Sequence, residues 1–138
     1  GLARAQGYGV DFKEYLEWQK HESVVIVQIE HKKALKKLES ILKVSGVDGL
    51  IIGPYDLSCS MGIPGQFDHP EFKAAMKFVL ETSEKLSIPA GLHIVEPDEE
   101  LLAQCIQDGY RFIAYSVDIR ILDVMARKGI KSFRKLTQ

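Results

Sequence analysis

Four times along the chain a short apolar run gives way to a longer stretch whose apolar residues recur at helical spacing. The first run, Ser23 to Ile29, is almost continuously β-branched from Val24 to Val27, the signature of a strand buried on both faces. Lys33 to Val44 follows, with Ala34, Leu35, Leu38, Ile41 and Leu42 on one helical face and Gly46 placed as a stop. The second unit is the strand Gly49 to Gly53, a long loop, and a helix from Pro70, whose missing N–H suits a first turn. Phe72, Ala75, Met76 and Val79 form its apolar stripe. The third unit runs Ala90 to Ile94, then Pro97 and a helix carrying Leu101, Leu102, Cys105 and Ile106 that stops at Gly109. The fourth is Phe112 to Val117, then Ile119 to Arg127 with a basic tail to Gln138. A polar opening with Gly7 and Gly9 and a short amphipathic stretch, Phe12 to Trp18, precede them all. Such alternation predicts an α/β fold of parallel strands joined by right-handed crossovers. A small open sheet and half of a closed (β/α)₈ barrel both satisfy it, and the pattern does not choose.

Composition narrows the class without changing that picture. The chain has 138 residues, 46% hydrophobic and 27% charged, enough apolar material for one globular core. Lys and Arg number 18 against 19 Asp and Glu, a net charge of −1, so neither nucleic acid nor a membrane surface is an expected partner. No run is long and apolar enough to span a bilayer. The opening Gly1-Leu2-Ala3-Arg4-Ala5 lacks the basic-then-apolar form of a signal peptide, so a cytoplasmic location is expected; it also lacks a Met, so a natural start is not. Cys59 and Cys105 are far apart, have no ligand-like spacing, and read as reduced thiols. No linker or low-complexity segment divides residues 1–138, which read as one domain.

Candidate chemistry lies at strand ends. Gln28 and Glu30 are two apart and share a face, opposite to Val25, Val27 and Ile29. The C-terminal tip of a buried parallel strand is where barrel active sites are built. Glu30 also reads as a helix-start carboxylate favoured by the macrodipole. At the next tip, Gly53-Pro54-Tyr55-Asp56 turns the chain and aims the backbone N–H groups of Tyr55 and Asp56 toward an anionic oxygen. Asp56 reads equally well as the N-cap of a short turn through Ser58. Together the two tips are more informative, because neighbouring parallel strands lie about 4.8 Å apart. Glu30 and Asp56 can then reach one hard divalent cation, Mg²⁺ or Mn²⁺ rather than zinc, with water and substrate completing the octahedron. His31 reads as a surface or supporting residue, His93 as a packed, hydrogen-bonded strand residue, and His69 as a cap before Pro70. Asp118 is either a loop cap or part of the same mouth. No strand contains Lys, which argues against a Schiff base, and no G-x-G-x-x-G, P-loop or nucleophile elbow occurs.

Gln28-Ile29-Glu30, Gly46-Val47-Asp48-Gly49, Ile52-Gly53-Pro54-Tyr55-Asp56-Leu57-Ser58, Met61-Gly62 and His69-Pro70 resemble the HpcH/HpaI aldolase family across nearly the whole chain. These are class II, metal-dependent aldolases of 2-keto-3-deoxy acids and 4-hydroxy-2-oxo diacids, related to citrate lyase β-type enzymes. The resemblance implies that Glu30 and Asp56 hold the metal (Mg²⁺, Mn²⁺ or Co²⁺), and that Gln28 hydrogen-bonds around a bound keto acid. Gly53, Tyr55 and Asp56 would offer backbone contacts to the pyruvate carboxylate. Family members are about twice this length, so the chain is expected to supply strands five to eight. The acid–base His and the Arg that polarises the keto group belong to the other half, and no catalytic residue beyond the site named above is expected here. Tyr55 stands where a small residue is common, which would narrow the pocket, and Ser116 where Gly is frequent. The resemblance also implies a homo-oligomer, hexamers built from dimers, with the last helix exchanged between partners.

The expected reaction is retro-aldol cleavage of a 2-oxo-4-hydroxy acid to pyruvate and an aldehyde. A citryl- or malyl-CoA lyase-like enzyme would need a nucleotide-binding surface, which no motif supplies. A catalytically silent binding or assembly module, and a small flavodoxin-like domain that would be a stable monomer, are the readings from other classes. Half a barrel leaves two unpaired sheet edges and is expected to associate.

Overall fold

The computed structural model describes residues 2–137. Four parallel strands, β1 (Ile26–Ile29), β2 (Gly49–Ile52), β3 (Ala90–Ile94) and β4 (Phe112–Tyr115), lie side by side in sequence order. After a 3₁₀ segment (Arg4–Gly9) come α1 (Phe12–Glu22), α2 (Lys32–Leu35), α3 (Leu38–Leu42), α4 (Pro54–Met61), α5 (Pro70–Leu86), α6 (Glu99–Asp108) and α7 (Asp118–Leu136).

Strand alternation sorts the sheet into two unlike faces. Ile29, Leu50, Ile52, Leu92 and Ile94 are buried and pack with Leu38, Leu42, Leu57, Phe72, Val79 and Cys105 from the helices. Burying side chains such as Leu50 and Ile52 this completely stabilises the fold by about 1.5–3 kcal/mol each. Residues of the opposite parity, Gln28, Ile51, His93 and Phe112, remain exposed or half-buried. Sequential order with right-handed crossovers puts the connecting helices on one side, whereas a doubly wound sheet needs a reversal of strand order. The architecture is therefore half of a (β/α)₈ barrel, which decides what the sequence pattern left open. Its uncovered face is the one a barrel turns inward. Close strand approach is enforced at Gly91, where a Cβ would sit 2.6 Å from the Phe112 carbonyl oxygen and 2.9 Å from that of Leu50.

Several boundaries differ from the sequence expectation. The first strand pairs only from Ile26, because Asp48 takes over before it: its Oδ2 accepts from Val25 N–H at 2.7 Å and its N–H donates to Val25 O at 2.9 Å. The helix expected over 33–44 is split into α2 and α3, which pack on different partners, α4 and α5. The expected long loop contains α4, with Pro54 at its first position, Leu57 and Ser58 fully buried, and Gly62 closing it at φ 85°. Strand β4 ends at Tyr115 and α7 absorbs the basic tail to Leu136. Among the described residues no helix is long and apolar enough to cross a membrane.

Candidate active site at the strand tips

Gly53 organises the site. Its N–H donates to Ile29 O at 3.1 Å, continuing the β1–β2 ladder past its last pair, Ile29–Ile52. The register therefore sets Glu30 beside Gly53. A Cβ built on Gly53 would lie 3.1 Å from Gln28 Nε2, 3.4 Å from Glu30 Cβ and 3.7 Å from Glu30 Oε2. Both β1 side chains thus lean over the bare Cα of Gly53. The backbone there, φ −92° and ψ 94°, is open to any residue, so the absent side chain is what this position uses.

Gly53 is also the N-cap of α4, and this corrects the reading of Asp56 as a cap: Asp56 lies in the first turn, two positions after Pro54. Leu57 N–H donates to Gly53 O at 2.9 Å, while the N–H groups of Tyr55 and Asp56 have no acceptor among the described residues. Those amides and the helix N-terminus suit an anionic oxygen. The Glu30 loop is fastened to the same helix: Lys32 N–H donates to Ser60 Oγ at 2.9 Å, and Ser60 Oγ donates to Leu57 O at 2.7 Å. Ser58 Oγ secures the turn from below, donating to Tyr55 O at 2.8 Å and accepting from Gly65 N–H at 3.0 Å. Ser60 does not stand out in the sequence, since a helix there was not expected.

Gln28, Glu30 and Asp56 are solvent-exposed, and among the described residues neither carboxylate pairs with Lys or Arg. Glu30 does not start the following helix. His31 caps α2 instead, its Nδ1 accepting from Lys33 N–H at 3.1 Å. His69 caps α5 as expected, accepting from Glu71 N–H at 3.2 Å. Asp118 is not the cap of α7: Val117 is the N-cap and receives no side-chain hydrogen bond, while Asp118 opens the first turn with its Oδ1 accepting from the adjacent Ile119 N–H at 2.7 Å. His93 departs from expectation: its backbone lies in the β3 ladder, but its half-buried imidazole makes no hydrogen bond to another described residue. The partly exposed Tyr55 ring packs edge-on against Phe67, centroids 4.9 Å apart, and Phe67 rests on the buried Phe72 in the helix layer. No cluster of three or more His, Cys, Asp or Glu forms among the described residues, so the donor set this chain offers is two carboxylates.

The far side of the mouth is held by hydrogen bonds. Ser116 adopts φ 59°, a left-handed conformation that glycine reaches more easily. Its Oγ donates to Val95 O at 2.8 Å, which offsets that cost. Arg120 Nε donates to both oxygens of Glu96, at 2.9 Å each, which holds the Glu96 carboxyl below its usual range and ties α7 to the end of β3. Both cysteines are free, Cys59 exposed and Cys105 buried.

Known proteins resemble this chain in sequence and in fold. The chain is 40% identical over 126 residues to a hydroxypyruvate/pyruvate aldolase of Sagittula stellata, covering 91% of this chain and 49% of that protein. It is 43% identical over 121 residues to a pyruvate aldolase of Rhizobium etli, covering 88% of this chain and 46% of that one. The crystal structure of an HpcH/HpaI aldolase/citrate lyase family protein from Burkholderia cenocepacia superposes with a TM-score of 0.86 at 31% identity, over 97% of this chain and 51% of that one. The chain thus spans about half the length of the relatives it matches. With the family model for HpcH/HpaI aldolase/citrate lyase matching residues 4–123, the chain belongs to the HpcH/HpaI aldolase/citrate lyase family.

Proposed function

We propose that this chain is strands five to eight of a (β/α)₈ barrel that cleaves a 2-oxo-4-hydroxy acid to pyruvate and an aldehyde, or runs the reverse addition, with a divalent cation. The observation carrying this reading is the convergence over Gly53: Gln28 and Glu30 lean across it, and the helix bearing Asp56 begins at it. Two carboxylates without cationic partners among the described residues, on elements fastened through Ser60, fit a hard ion such as Mg²⁺, Mn²⁺ or Co²⁺ and leave positions for water and substrate. When bound there, the cation supplies Lewis-acid stabilisation of negative charge developing on the keto oxygen.

The chain's own groups do the rest of the positioning. The free N–H groups of Tyr55 and Asp56 receive the substrate carboxylate at the N-terminus of α4. The bare Cα of Gly53 lets the keto acid lie flat against the backbone. Gln28, whose Nε2 already points over Gly53, donates a hydrogen bond to substrate oxygen and fixes the plane of the acid. Four further βα units would complete the barrel, exclude water and bring the acid–base group. Helix α7 supports self-association: it has no buried residue, and Ile119, Leu122, Met125, Ile130, Phe133 and Leu136 form one exposed stripe.

The test is deuterium exchange of the pyruvate methyl protons in the completed barrel, with and without Mn²⁺ or Mg²⁺. Metal-dependent exchange is expected, with Glu30→Gln and Asp56→Asn each abolishing it and weakening Mn²⁺ binding while far-UV circular dichroism is unchanged. Unchanged Mn²⁺ affinity in both variants would overturn the ligand assignment.

A further inference from the structure

We infer that His93 determines acceptor specificity: its imidazole hydrogen-bonds the oxygen-bearing tail of a hydroxylated aldehyde. This rests on the keto acid lying over Gly53 as proposed above. The strand register carries it. His93 pairs with Ala114, and one step beyond the paired Ile29–Ile52 and Ile52–Leu92, Glu30 lies beside Gly53 and Gly53 beside His93. Glu30, Gly53, His93 and Ala114 therefore form one row across the uncovered face. The row beneath is Gln28, Ile51, Gly91 and Phe112, in the same register.

Within the upper row the functional groups are spaced by small residues. Glu30 and His93 are two strands apart, roughly 10 Å between backbones at about 4.8 Å per strand. Gly53 between them has no side chain, and Ala114 beyond has only a methyl. Ile51 and Phe112 beneath give the gap an apolar floor. A substrate anchored at Gly53 and extending along the row thus reaches His93 with its distal carbons. The His93 ring is half-buried and has no hydrogen-bond partner among the described residues, although neutral imidazole offers one donor and one acceptor. A hydroxyl uses both. A carboxylate tail fits less well, because neither row contains Lys or Arg and Glu30 shares the space. An alkyl tail would leave the imidazole unpaired, the circumstance in which a polar site rejects an apolar analogue most strongly.

The experiment uses the completed barrel with Mn²⁺ and compares kcat/KM for addition of pyruvate to glyceraldehyde and to propanal, equal in carbon number. His93→Leu should reduce the glyceraldehyde-to-propanal preference by about tenfold or more. Pyruvate methyl exchange should be unchanged, and His93→Gln should restore much of the preference. His93→Phe reads the same ratio should the leucine variant fail to fold. Equal losses on both aldehydes, or an unchanged ratio, would overturn the inference. Absence of exchange in the unmodified protein would instead overturn the keto-acid reading, and this inference with it.

Discussion

Replacing Gly53 with Ala separates the site from the fold on which it stands. The added methyl would meet Gln28 Nε2 at 3.1 Å and Glu30 Cβ at 3.4 Å. The first is the far end of a flexible, exposed side chain, which can yield by a few tenths of an ångström; the second is ordinary contact. With φ −92° the backbone accepts alanine, and losing a glycine restricts the unfolded chain, worth about 0.4–1 kcal/mol in favour of folding. Net stability should therefore stay within about 1 kcal/mol of the parent. The chemistry should not be spared, because the methyl occupies the floor on which the keto acid is proposed to lie and displaces the amide of Gln28. A loss of about tenfold in kcat/KM, some 1.4 kcal/mol, is the smallest effect consistent with that placement.

Gly91→Ala is the contrasting case. There the new Cβ would meet two backbone carbonyl oxygens, at 2.6 and 2.9 Å, and neither can rotate away. Overpacking of this kind costs about 1–3 kcal/mol or more. Urea unfolding and pyruvate methyl exchange on both variants give the answer. Gly53→Ala should unfold with the parent but exchange poorly, and Gly91→Ala should unfold early. Parental exchange in Gly53→Ala would refute the placement of substrate over residue 53.

Other expectations follow from burial and charge. Ile52→Ala, at a fully buried position, should lower stability by about 2–5 kcal/mol in denaturant titration; less than 1 would mean the helix layer collapses into the gap. Burial first, then nearby Cys105 and Asp108, pushes the Tyr110 hydroxyl well above the ordinary tyrosine range. A raised folded-state pKa means stability is intact below the unfolded value of about 10 and declines as pH rises above it. Spectrophotometric titration should show Tyr110 ionising only as the protein unfolds, and ionisation of all five tyrosines in a folded state would contradict this. Burial also raises the Cys105 thiol, so iodoacetamide should label exposed Cys59 first, with peptide mapping as the readout. Leu122→Glu with Phe133→Glu, on the exposed stripe of α7, should shift the completed barrel to smaller species in sedimentation velocity; an unchanged distribution would remove α7 from the interface.

Much of this protein is legible in its sequence because strands and helices announce themselves by local period. The four βα units, the cap at His69 with Pro70 opening the helix, the stop at Gly109 and the shared face of Gln28 and Glu30 all follow from spacing along one segment. Helix α4 was hidden because Gly53-Pro54 reads as a turn; its helical character depends on Leu57 and Ser58 being buried beneath it. Splitting of the expected 33–44 helix was equally invisible, since it reflects packing against two different neighbours. The sequence by itself determined that strand tips carry carboxylates. Only the tertiary structure decided that Gln28 and Glu30 converge on a bare Cα, that Ser60 fastens their loop to the helix bearing Asp56, and that His93 falls in the row of Glu30. Those facts depend on register between strands separated by 20 to 60 residues, and register is fixed by which side chains fit together across the sheet rather than by any local preference.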